Sequence, residues 1–132
     1  MILVDTNIII DIIRRDPAWG KWSMTQLRQA RSADSVVINP LIYAELCAKP
    51  ETDFYVDEFL DLGQFAVSDL SRPAARLAGK AYATYVQRGG SRTGVLPDFF
   101  IGAQAQAEGW TILTRDKARY KTYFPKVQLI CP

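Results

Sequence analysis

Met1-Ile-Leu-Val-Asp-Thr-Asn-Ile-Ile-Ile-Asp11 is the stretch on which the reading of the whole chain turns. Ile2, Leu3 and Val4 are continuously apolar and partly β-branched, and the run stops at Asp5. A short strand without polar alternation is buried on both faces, as in a parallel sheet covered by helices. Ile8, Ile9 and Ile10 resume the apolar pattern after Thr6 and Asn7, with the spacing to begin a helix capped by Asp5 or Thr6. A carboxylate at the carboxyl end of such a strand lies where open α/β sheets place their ligands. What can join it there depends on the strands that follow.

Outward from this stretch, apolar runs and helical segments alternate. The first helix extends to about Arg15 and is closed by Asp16-Pro17, and Pro17 opens a second helix to about Arg31, with Trp19, Trp22 and Leu27 toward the core. Ser35-Val-Val-Ile38 is a second strand, followed by the cap Asn39-Pro40 and a helix over residues 41–48. Residues 51–62 carry Phe54, Tyr55, Phe59 and Leu62 at helical spacing, ending at Gly63. Phe65-Ala-Val67 is a third strand, and Ser71-Arg72-Pro73 opens a long helix to about Arg88. A flexible basic loop over 88–94 leads to a helix from Pro97-Asp98 to Glu108, closed by Gly109. Trp110-Thr-Ile-Leu-Thr114 and Val127-Gln-Leu-Ile130 complete about five strands. This alternation predicts a mainly parallel α/β sheet within one domain spanning residues 1–132.

Composition narrows the chemistry. A net charge of +2 does not by itself call for a nucleic-acid partner, so any basic surface has to be local. Cys47 and Cys131 lack metal-ligand spacing and are expected to be reduced thiols of a cytoplasmic protein. Neither a membrane span nor a signal peptide is expected. The chain has no histidine, which removes Ser-His-Asp and Cys-His nucleophile schemes and His-ligated zinc. Carboxylates acting with hard metal ions are the enzyme chemistry that remains.

Four acids can reach one sheet edge. Asp5 ends the first strand and Asp116 lies just past the fourth. Glu45 sits early in the helix after the second strand, and Asp98 in the first turn of the helix before the fourth. Each has a plainer reading: Asp5 and Asp98 as helix-terminus acids, Asp116 as a turn residue, Glu45 as a solvated helix residue. Their joint placement favours a site. Asp11, by contrast, reads as solvated surface. Two carboxylates about 4 Å apart repel by roughly 4 kcal/mol at an effective dielectric near 20, so such a cluster takes up protons or a cation. All-oxygen ligands suit Mg²⁺ or Mn²⁺. Thr6, Asn7 and Thr114 are placed to hydrogen-bond the carboxylates.

Leu3-Val-Asp-Thr-Asn7, Ala44-Glu45-Leu46, Leu96-Pro-Asp-Phe-Phe-Ile-Gly-Ala103 and Leu113-Thr-Arg-Asp116 resemble, in order and spacing, the four acidic motifs of PIN domains of the VapC toxin type. The resemblance covers essentially the whole chain. It implies a three-layer α/β/α sandwich with a central parallel sheet. It further implies a Mg²⁺- or Mn²⁺-dependent endoribonuclease, usually homodimeric, that cuts structured RNA such as tRNA or ribosomal RNA. An antitoxin of the VapB kind would inhibit it. Asp5, Glu45, Asp98 and Asp116 then form the acidic quartet. Arg88, Arg92, Arg115 and Lys117, with Lys121 nearby, are where RNA contact is expected. Two rivals remain: a non-catalytic PIN-like module binding RNA or protein, and a phosphoryl-transfer protein of the receiver or haloacid-dehalogenase type. The haloacid-dehalogenase pattern expects a second Asp two residues after Asp5, where this chain has Asn7.

Overall fold

A computed structural model describes residues 1–91 and 96–132. Its strands are β1 (Ile2–Val4), β2 (Val36–Ile38), β3 (Ala66–Val67), β4 (Thr111–Leu113) and β5 (Leu129–Ile130). They form one sheet in the order β3-β2-β1-β4-β5, with every pair parallel. Helices α1 (Thr6–Ile13), α2 (Gly20–Ala33), α3 (Pro40–Cys47), α4 (Pro50–Asp53), α5 (Val56–Leu62), α6 (Arg72–Gln87), α7 (Leu96–Glu108) and α8 (Ala118–Tyr123) complete a three-layer α/β/α sandwich. Every residue of β1 and β2 is buried, which is why their sequences carry no polar alternation.

Strand order places the site. The chain leaves β1 toward β2 and β3 on one side, then returns to add β4 and β5 on the other. The crevice beyond the carboxyl ends of β1 and β4 is therefore the topological switch point of the sheet. Val4 pairs with Leu113, and the Asp5 amide donates to the Leu113 carbonyl at 2.9 Å. That register sets Asp5 beside Thr114.

Side chains fix the helices that bring the other acids. Asn39 caps α3 by accepting from the Ile42 amide at 2.9 Å, with Pro40 in the first turn. Its own amide donates to Gln104 Oε1 at 3.0 Å, and Gln104 Nε2 donates to the Asp69 carbonyl at 3.2 Å. Asn39 and Gln104 are both fully buried, so this satisfied polar chain ties the start of α3 to the middle of α7. Phe99, also on α7, packs among Tyr82, Tyr85, Tyr123 and Phe124, joining α6 to α8.

Two expectations from sequence are corrected. The second helix starts at Gly20, not Pro17, because Asp16 Oδ2 accepts from the Ala18 and Trp19 amides at 3.0 and 2.7 Å and holds a turn there. The segment expected to be one helix over 51–62 is two. Thr52, Val56 and Leu60 are its buried residues, whereas Phe54 is 83% and Leu62 73% exposed. The buried face includes a threonine, whose hydroxyl donates to the Leu46 carbonyl at 2.5 Å. An apolar count passes over a polar residue that buries by satisfying its hydroxyl.

Candidate functional site

Asp5, Glu45, Asp98 and Asp116 all line one cleft of about 260 Å³ at the switch point. Asp5 is the most constrained. Its Oδ1 accepts from the Thr6 amide at 2.7 Å, capping α1. Its Oδ2 accepts from Thr114 Oγ1 at 2.8 Å, Tyr120 Oη at 2.9 Å and Asn7 Nδ2 at 3.3 Å. Cap and site residue are thus one side chain. Thr114 Oγ1 also accepts from the Asp116 amide at 3.1 Å, linking the turn that carries the fourth acid to the first. Asn7 Oδ1 accepts from the Arg115 amide at 3.3 Å, so Asn7 spans the same two strand ends.

The acids differ in environment. Burial pushes the Asp5 carboxyl up to about 6, against the opposing hydrogen bonds from Thr114 and Tyr120 and with a further push from Asp98. Burial, then the charges of Asp5 and Asp98, raises Glu45 to about 7. Burial also raises Asp98, while the Arg119 guanidinium, which donates to Asp98 Oδ2, pulls it back. Tyr120 is held well above its ordinary value by burial and by Asp5, so it remains a donor. Asp116 is exposed at the cleft edge.

These shifts give a stability prediction. A carboxyl whose folded value is raised holds its proton longer in the native than in the unfolded chain. Between about pH 4 and 7 the folded state therefore binds more protons, and stability falls as pH rises. Asp5, moving from 3.8 to about 6, accounts for about 3 kcal/mol of that fall. Glu45 adds less, being half open to water. Denaturant melts in EDTA are expected to show this downward slope, and Mn²⁺ to flatten it; a rising slope is the contrary outcome.

Whether a cation suits the cleft can be judged from atoms left without partners. Thr6 Oγ1 and Glu45 Oε1 are buried and make no hydrogen bond, and both residues line the cleft. The Thr6 hydroxyl lowers the Glu45 pKa slightly, yet the two do not meet in hydrogen-bonding geometry. Orphaned buried oxygens beside further carboxylates form an all-oxygen donor set that fits Mg²⁺ or Mn²⁺. Among the described residues, however, no three His, Cys, Asp or Glu side chains stand close enough together to hold an ion as they are. The pairing of Arg119 with Asp98 accompanies that separation.

The basic residues fall in several places. Arg115 Nε and Nη2 donate to Asp11 Oδ2 and Oδ1 at 2.8 and 3.0 Å, and the guanidinium lies 5.7 Å from the Trp19 ring centroid. Asp11 is therefore not solvated surface, as its sequence context suggested: it is 2% exposed and also accepts from Ser23 Oγ at 2.9 Å. Lys117 Nζ donates to the Pro132 carbonyl at 2.8 Å. Arg88 is exposed over the Tyr123 ring, and Lys121 is exposed on α8. Arg92, with the rest of the expected basic loop to Gly94, lies outside the described residues. Lys49, Arg119 and Tyr120 line the cleft without having been singled out from the sequence.

Comparison with known proteins agrees with this fold. No curated protein matches the chain in sequence. Among solved structures, a chain of VapBC2 from Rickettsia felis, bound to a promoter DNA fragment, is similar at 22% identity and TM-score 0.78, covering 100% of this chain and 99% of that one. FitAcB from Neisseria gonorrhoeae is similar at 22% identity and TM-score 0.73, with 98% and 96% covered. VapBC-1 from nontypeable Haemophilus influenzae is similar at 20% identity and TM-score 0.73, with 99% and 98% covered. The sequence profile of the PIN domain matches residues 2–125. With its acids gathered at the switch point of a parallel sheet, the chain belongs to the PIN domain family.

Proposed function

We propose that this protein is a divalent-metal-dependent endoribonuclease, the toxin of a toxin–antitoxin pair, hydrolysing structured RNA such as tRNA or ribosomal RNA. The observation that carries the reading is the convergence of Asp5, Glu45, Asp98 and Asp116 on one cleft that also holds two unpartnered buried oxygens. The similar solved structures support the biological setting, since they are described as VapBC and FitAB assemblies and, for Klebsiella pneumoniae, as a toxin–antitoxin complex. A VapB-like antitoxin is the proposed partner, and a homodimer the proposed state. Among the described residues no helix is long and apolar enough to cross a membrane.

Asp5, Asp98 and Asp116, with Glu45, would hold the cation. A bound Mg²⁺ or Mn²⁺ supplies Lewis-acid polarisation of the phosphodiester and lowers the pKa of water. The chain's own groups do the rest. The four donors on Asp5 fix its orientation. Glu45, its carboxyl raised to about 7 by burial and by the neighbouring acids, is the base that takes the proton from the attacking water. The water oxygen bonds to phosphorus as the bond to the leaving sugar oxygen breaks, giving a phosphate monoester and a free hydroxyl.

Purified protein incubated with total RNA is expected to cut it at defined positions with Mg²⁺ or Mn²⁺ and to stop with EDTA. Mapping of RNA ends checks this. The pairing of Arg119 with Asp98 favours a second reading, a non-catalytic module whose acids are already neutralised. RNA binding without new ends across several metals would select it.

A further inference from the structure

The cleft lowers its own negative charge in two ways. Burial disfavours the charged form of Asp5 and Glu45. Asp98 instead pairs with the Arg119 guanidinium. The first device responds to pH; the second does not, because a guanidinium keeps its proton.

Helix α8 delivers this second device. Its adjacent residues reach two different acids, Tyr120 Oη donating to Asp5 and Arg119 Nη1 to Asp98. The Arg119 guanidinium lies 5.7 Å from the Tyr85 ring centroid and 5.8 Å from that of Phe99, so two rings behind it help hold it against the carboxylate. Both members of the pair remain partly open to water, Arg119 at 30% and Asp98 at 39% exposure. A pair so exposed is held weakly enough to exchange. Thr6 Oγ1, buried without a hydrogen-bond partner among the residues that line the same cleft, adds a further oxygen to the donor set around Asp98.

We propose that Arg119 is an internal competitor for the divalent cation, holding Asp98 until the cation displaces it. The proposal rests on reading the cleft as a metal site. Two positive charges within a few ångströms of one carboxylate repel, so the cation engages Asp98 only as the guanidinium withdraws. Arg119 is then a positioning residue acting through Asp98, and it sets the cation concentration at which the site fills.

Mn²⁺ binding, followed by electron paramagnetic resonance without any RNA, tests this directly. Arg119→Met keeps an apolar stem against both rings, and Arg119→Gln provides a second neutral variant, each checked for folding by thermal unfolding. Both are expected to bind Mn²⁺ about three- to tenfold more tightly than the natural chain. Arg119→Lys, which keeps the charge, is expected to stay near the natural affinity. In an Asp98→Asn background, Arg119→Met is expected to change nothing, because the contested carboxylate is gone. Equal or weaker Mn²⁺ binding by folded Met and Gln variants overturns the proposal and leaves the metal site standing. Absence of saturable Mn²⁺ binding in every protein overturns the metal-site reading and the proposal with it.

Discussion

Asp5→Asn is expected to lower RNA cleavage by about a thousandfold, since losing one charged ligand removes several kcal/mol of transition-state stabilisation. Folding is expected to survive. The carboxylate is buried with a pKa near 6, so its charge is already a burden on the native state at neutral pH. The substituted amide can keep the Thr6 cap through its oxygen and turn its nitrogen toward Thr114 and Tyr120, whose hydroxyls rotate to accept. Asn7 Nδ2 then loses one of its two acceptors and is left with Thr114 Oγ1 at 3.3 Å, a cost that offsets part of the relief. Stability within about 1 kcal/mol of the natural protein at pH 7 is the expected balance. Chemical melts beside single-turnover cleavage check both halves. Retained cleavage sinks the proposed mechanism, whereas lost cleavage with lost structure says only that Asp5 is a cap.

Asp11→Ala is expected to show the opposite pattern, a loss of fold stability of about 3 kcal/mol. Asp11 accepts both nitrogens of the Arg115 fork and the Ser23 hydroxyl while almost wholly buried, so one side chain joins α1, α2 and the turn after β4. Removing it strands Ser23, which is itself fully buried. Arg115 can swing partly into water, which keeps the loss at the lower end for a broken buried pair. Arg115 stands between Thr114 and Asp116, so activity is expected to fall too, as a consequence of displacement. Denaturant midpoints at fixed pH check the stability term, and a change below about 0.5 kcal/mol is incompatible with the clasp.

The contrast between these two aspartates shows what the sequence could convey. Asp5 was legible because it interrupts a buried strand and begins a helix, two local signals that coincide at one residue. Asp116 followed from its place past a strand end, and Glu45 and Asp98 from their places on the helices beside the sheet, which the parallel topology brings to one edge. Asp11 was misread because its partner lies 104 residues away, and an acid on an amphipathic helix otherwise belongs in water. The segment over 51–62 failed similarly: Phe54 and Leu62 promise burial by type, but Thr52 claims it through a hydrogen bond to Leu46. Arg119 and Tyr120 were invisible because a six-residue helix carries too few turns to show which face it presents. Periodicity reports faces; it does not report which face meets which acid.

Because β4 pairs beside β1, the donors that hold Asp5 come from opposite ends of the chain. Thr114 and Tyr120 lie 109 and 115 residues beyond it. Contacts of such separation form only as loops between them close, so the centre assembles together with the last part of the sheet. A ribosome-bound chain that has not yet released β4 and α8 contains Asp5 and Glu45 but no working centre. On the reading proposed here, RNA cleavage waits until β4 and α8 have emerged and docked beside β1.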